Sequence, residues 1–133
     1  MKKQLKEFLK NSWGLEIWAK DKMVYRSKKS GVMGLLDFIE KHGRRYKGVV
    51  IFDKIVGQGA ALLAAYLGAE EVYGKTGSSL AAKNLKKFKI NFYFQKTVPN
   101  ILDKDKKDLC PLEKLSFSRS PEEFYNRLKG MRC

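Results

Sequence analysis

Apolar positions along the chain recur with two different periods, and the switches between them mark out the elements. Between Lys2 and Ser12, Leu5, Phe8 and Leu9 fall at i, i+3 and i+4 with Lys and Glu between them. That spacing predicts a short amphipathic surface helix, ended by Trp13-Gly14. From Leu15 the period becomes two: Leu15, Ile17 and Ala19 alternate with Glu16, Trp18 and Lys20, and Met23 to Arg26 continue the texture. An antiparallel hairpin follows, although its turn at Lys20-Asp21-Lys22 has no glycine. After Ser30-Gly31 the helical spacing returns in Val32, Leu35, Leu36 and Ile39, and Lys41-His42-Gly43 supplies a C-terminal cap signal.

Val49-Val50-Ile51-Phe52 is an uninterrupted apolar run, as in a strand buried on both faces. No charge occurs between Ile55 and Ala69, and Gly57 to Gly68 combines helix formers with a terminal glycine, predicting a buried helix. Glu71-Val72-Tyr73 predicts a short strand. Ser78 or Ser79 can cap a helix to about residue 88, and Ile90, Phe92 and Phe94 alternate with Asn91, Tyr93 and Gln95. The order is α-β-β-α-β-α-β-α-β. Single helices between the later strands require crossovers and parallel pairing, whereas the hairpin is antiparallel. The expected class is therefore α/β, a three-layer α-β-α fold with a mixed five-stranded sheet. Beyond it, Leu102 to Leu109 is a charged loop and Cys110-Pro111 opens a short segment. Ser120-Pro121-Glu122-Glu123 has Ser at the N-cap, Pro at N1 and Glu at N3, so a last helix runs to about Lys129.

At 133 residues and 44% hydrophobic content the chain supports one folded domain, residues 1–133. It holds no run near the roughly 20 apolar residues of a membrane-spanning helix. Its start, MKKQLKEFLKNSW, is unlike a secretory leader, so no membrane partner and a cytoplasmic location are expected. Cys110 and Cys133 are too few for a disulfide framework and read as reduced thiols. Charge changes the picture more: 28 Lys+Arg against 14 Asp+Glu leave +14, which favours polyanionic partners such as nucleic acid. The 22 Lys and six Arg are nevertheless spread from Lys2 to Arg132, so a generally Lys-rich composition explains the excess equally well. Arg44-Arg45-Tyr46-Lys47 and Phe92 to Lys96 do place aromatic rings beside cations.

In open α/β sheets ligands bind beyond the carboxyl ends of the strands. Three loops stand there by this reading: Asp53 to Gly59, Gly74 to Ser79, and Thr97 to Asn100. Asp53 and Lys54 could orient a substrate or shuttle a proton, while an Asp at a strand-to-helix junction is ordinarily a helix cap. Gly57 and Gly59 would permit close approach of a ligand or of a packed neighbour, and Asn100 would contribute from the third loop. Gly74-Lys75-Thr76-Gly77-Ser78-Ser79 superficially suggests a phosphate loop, but it lacks the G-x-x-x-x-G-K-[ST] order and reads as a turn. Cys110 at a first helical turn, with Glu113 three residues on, could be an activated thiol; a Cys without a His partner is more often structural. His42 stands in a basic cap context and is expected to be exposed. No zinc spacing exists, so neither metal nor cofactor is expected.

Gly48 to Leu67, Glu71-Val72-Tyr73, Val98-Pro99-Asn100-Ile101 and Leu109 to Lys114, in that order, resemble a bacterial and archaeal family of unknown function with the cytidine deaminase-like fold. Zinc deaminases of that fold carry an H-x-E or C-x-E block on one helix and P-C-x-x-C at the start of the next. Here the corresponding helices begin Ser30-Gly31-Val32-Met33 and Asp53-Lys54-Ile55-Val56, so the resemblance implies the fold without the metal chemistry. The leading expectation is an uncharacterised protein binding a small-molecule or nucleotide-like ligand at the strand ends, where Asp53, Lys54, Cys110 and Glu113 are the candidates for metal-free catalysis. The alternatives are a basic nucleic-acid-binding module and a regulatory or oligomeric interaction protein.

Overall fold

The hairpin that opens the sheet is closed by two residues in the left-handed region, Lys20 at φ 50° and Asp21 at φ 64°. Ala19 and Lys22 pair directly across them, so the loop has two residues with positive φ, the twist that suits a tight hairpin. Cβ crowding in that region costs roughly 1–2 kcal/mol per residue, which is why glycine is the expected occupant. Pairing of the two strands fixes the turn despite its composition.

A computed structural model describes residues 2–101, 111–117 and 119–131. In chain order these form α1 (Lys2–Lys10), β1 (Leu15–Ala19), β2 (Lys22–Ser27), α2 (Gly31–His42), β3 (Val50–Val56), α3 (Gln58–Leu67), β4 (Glu71–Ser78), α4 (Ser79–Lys87), β5 (Asn91–Val98), α5 (Pro111–Ser116) and α6 (Pro121–Met131). The charged segment of residues 102–109 lies outside the described residues. The strands form one mixed sheet in the order β2-β1-β3-β4-β5, antiparallel from β2 through β1 to β3 and parallel from β3 to β5.

Successive side chains of a strand point to opposite faces, and β3 shows what each face meets. Phe52 lies 5.8 Å from the ring of Phe8 on α1, whereas the Asp53 carboxylate accepts a bond from the first amide of α2. Helix α1 therefore covers one face. Helices α2, α3 and α4 cover the other, with α5 and α6 packed on α3. The core between sheet and helices is built from Leu15, Ile17, Ile51 and Val72 against Leu35, Leu36, Leu62 and Leu63, all buried. Tyr93, on the outermost strand, is 48% exposed.

Local capping accounts for where most helices stop and start. Gly43 and Gly68, at φ 63° and 72°, end α2 and α3. The Ser78 hydroxyl accepts from the Ala81 amide at 3.0 Å to begin α4. Ser120 and Glu123 bond each other's amides at 3.2 Å in a capping box at α6.

The parallel strands run farther than their apolar cores suggest. β3 continues through Asp53-Lys54-Ile55-Val56, and Gly74 to Gly77, whose composition predicts a turn, is the body of β4. Pairing carries on through Ile55 with Thr76, Val56 with Gly77 and Ser78 with Val98. The glycines are tolerated because Phe94 occupies their side-chain space: a β-carbon on Gly74 would stand 2.9 Å from its Cδ1, and one on Gly77 would stand closer still to its Cδ2 and Cε2. Gly77→Ala is accordingly expected to lower the urea midpoint, by a destabilisation of about 1–3 kcal/mol. Adding Phe94→Leu should recover part of that loss. Additive losses in the double variant would contradict this packing.

Candidate functional site

Asp53, Lys54, Gly57 and Gly59 are used up in holding the architecture. Asp53 is 1% exposed, in the middle of β3 rather than at its end. Its Oδ1 accepts from the amides of Gly31 at 2.8 Å and Ile55 at 3.2 Å. The capping role expected for it holds, but the helix capped is α2 and not α3. Gly31 turns its N–H towards the carboxylate from a φ of 64°, a conformation that favours glycine. Oδ2 is buried and has no hydrogen-bond partner among the described residues. Burial pushes the carboxyl up to about 7, against the opposing pull of the two amide bonds and of the Lys54 charge.

Lys54 points to the other face. Its Nζ donates to the carbonyls of Trp13 at 2.6 Å and Asn11 at 2.8 Å and to Asn11 Oδ1 at 3.2 Å, and stands 4.0 Å from the Phe8 ring centroid. This is a tie for the chain leaving α1, not a free ammonium. Burial lowers its pKa, and the nearby Lys75 charge adds to the effect. The sheet thus separates Asp53 from Lys54 and does not bring them to one reacting centre.

Gly57 is the N-cap of α3. A β-carbon at Gly59 would meet Val32 Cγ2 at 2.7 Å and Phe124 Cζ at 2.9 Å, so Gly59 serves the packing of α3 against α2 and α6. Asn100 is exposed beyond β5, two strands away from β3. Cys110 lies outside the described residues; Glu113 falls in α5, and its side chain also lies outside them. Among the described residues no three His, Cys, Asp or Glu side chains come together as metal ligands. No described helix is long and apolar enough to cross a membrane.

Concave surface occurs elsewhere. A cleft of about 630 Å³ lies between the hairpin turn and the segment joining α2 to β3, lined by Lys20, Lys22, Met23, Arg45, Tyr46 and Lys47 among others. Among the described residues, the side chains lining it include four cations and no carboxylate. Arg45 lies 5.1 Å over the Tyr46 ring. His42, expected to be exposed, is half-buried and packs against Tyr25, Phe38 and Tyr46 at ring distances of 5.1–6.0 Å. Burial, then the charges of Arg45 and Lys41, lower its pKa. The sequence offered half of this cleft, the Arg45-Tyr46-Lys47 run. Lys20 and Lys22 join it only through the antiparallel pairing of β1 with β3, which sets the hairpin turn beside the segment leading into β3 and which no local pattern shows.

The buried carboxyl of Asp53 makes stability depend on pH. Its folded pKa is about 7 against an ordinary value of 3.8, so the folded state holds the proton more tightly. The contribution is full below about pH 4 and is lost as pH rises through about 7, amounting to a few kcal/mol at about 1.4 kcal/mol per pH unit. Asp53→Asn keeps the acceptor without the ionisation. It should exceed the wild type in unfolding free energy at pH 8, the gap closing towards pH 4; parallel profiles for the two proteins would contradict the assignment.

The family model TM1506, a domain of unknown function (DUF1893), matches residues 4–131. The fold is similar to the crystal structure of a DUF1893 family protein (TM1506) from Thermotoga maritima, with 27% sequence identity and a TM-score of 0.86. That similarity covers 98% of this chain and 88% of the other. No curated protein matches the chain. With the mixed five-stranded sheet and its helices accounted for over nearly their whole length, the chain belongs to the DUF1893 family.

Proposed function

We propose that this chain is a cytoplasmic binding module for single-stranded nucleic acid, built on a cytidine deaminase-like arrangement without that fold's metal chemistry. The observation that carries the reading is the cleft of Lys20, Lys22, Arg45 and Lys47 around Tyr46. Four cations converging on one concavity attract a phosphate backbone, and an aromatic ring beside them offers a stacking surface to an unpaired base. The net charge of +14 favours the same partner. Asp21 stands at the tip of the hairpin but is not among the cleft's lining side chains.

The deaminase-like arrangement is supported by the element order and by the sheet order β2-β1-β3-β4-β5. Where the zinc enzymes carry ligands, α2 begins Gly31-Val32-Met33 and α3 begins Gln58-Gly59-Ala60. None of these side chains is an ordinary zinc ligand or a proton carrier. Binding is therefore the reading favoured over deamination.

Fluorescence anisotropy with a single-stranded RNA across a salt series tests the proposal. The variant with Lys20, Lys22, Arg45 and Lys47 all changed to Gln should weaken binding and reduce the slope of log affinity against log salt by about 3, at roughly 0.7 for each phosphate no longer neutralised. Tyr46→Leu should weaken binding without altering the slope. Absence of binding at low salt, or an unchanged slope in the fourfold variant, would overturn it.

A further inference from the structure

A second cleft, of about 400 Å³, opens on the far side of α3 and is lined by Gln58, Asn84, Lys87, Phe88, Arg119 and Ser120, together with Pro121. Its volume falls in the range of small-molecule pockets. Three features give it a chemical character. The first is Gln58, only 9% exposed, in the first turn of α3, whose Oε1 is buried with no hydrogen-bond partner among the described residues. Buried polar atoms in folded proteins are almost always paired, so a lone acceptor beside a cleft points to a donor supplied from outside. The second is the pair of cations, Lys87 at the end of α4 and Arg119 just before α6. Arg119 is oriented by donation from Nε to the Leu115 carbonyl at 2.7 Å, and a guanidinium so held suits a phosphate oxygen pair. The third is Phe88, half-buried, which gives the cleft an apolar wall. Among the described residues no carboxylate lines the cleft; the nearby Glu123 accepts from the Ser120 amide in the capping box.

We infer that this cleft binds a phosphate monoester that also carries a hydroxyl or amino donor, the phosphate held by Lys87 and Arg119 and the donor by Gln58 Oε1. The same chemistry is offered by a free sugar phosphate and by the 5′-phosphorylated end of a nucleic-acid strand. The site does not depend on the basic cleft, with which it shares no residue.

Titration of the full chain, followed by amide NMR, separates the cases. Ribose 5-phosphate should shift the amides of Gln58, Asn84 and Phe88 and bind at least tenfold more tightly than inorganic phosphate. If instead a 5′-phosphorylated oligonucleotide shifts them where its unphosphorylated twin and ribose 5-phosphate do not, the site reads a strand end, and the inference still stands. Arg119→Gln should cost about tenfold in affinity for whichever ligand binds. Gln58→Met should abolish the preference over inorganic phosphate. Should Gln58→Met fail to fold, the Arg119→Gln comparison decides alone. The fourfold variant of the basic cleft should leave ribose 5-phosphate binding unchanged, so failure of one site is distinguishable from failure of the other. No shift at these amides with any of the probes at millimolar concentration, or shifts that Arg119→Gln does not weaken, would overturn the inference.

Discussion

Two adjacent residues of the central strand hold both helical layers to the sheet. Because side chains alternate along β3, Asp53 and Lys54 reach opposite faces. Asp53 takes the first amide of α2, where a helix presents positive partial charge. Lys54 takes the carbonyls of Asn11 and Trp13, where the chain leaves α1 and acceptors are left over. The two ties share a backbone, so the position of each helical layer is referred to the same strand. Lys54 also donates its own amide to Gly14, drawing the start of β1 against β3. The arrangement strains the electrostatics, since enclosing the Asp53 carboxyl raises its pKa and leaves Oδ2 without a hydrogen-bond partner among the described residues.

That use of charge in the architecture relocates the places where binding can occur. The parallel strands extend through the segments that would otherwise be ligand loops, and the glycines there make room for Phe94 and for helix packing rather than for a ligand. Charge that is not consumed in this way gathers at the periphery. One group surrounds Tyr46 beside the hairpin turn, and the other lies between α3, α4 and the start of α6. Among the described residues both are lined by cations without carboxylates, in keeping with the excess of Lys and Arg over the chain as a whole.

Features governed by neighbours in the chain were legible in the sequence. The spacing of Val32, Leu35, Leu36 and Ile39 placed α2, and Gly43, Gly68, Ser78 and Ser120 marked helix ends that the structure shows as caps. The need for crossovers foretold the parallel half of the sheet. Features governed by partners distant in the chain were not. Gly74-Lys75-Thr76-Gly77 has the composition of a turn, and only backbone pairing with β3 and β5 makes it a strand, the Phe94 ring filling the space its glycines leave. Asp53 and Lys54 looked like a functional pair because adjacency in sequence suggests adjacency in space, yet a strand turns adjacent side chains apart. Lys20 and Lys22 gave no sign of facing Arg45, because the pairing of β1 with β3 brings the two segments together.

The central claim is that β3 ties one helix to each face through one residue each, and hydrogen exchange reads it most directly. Lys54→Met should speed exchange of the amides of α1 while leaving those of α2 protected, and Asp53→Ala should do the reverse, loosening the first turn of α2 and sparing α1. If both variants loosen both helices equally, or neither loosens its own, the two-sided tie is not what holds the layers in place.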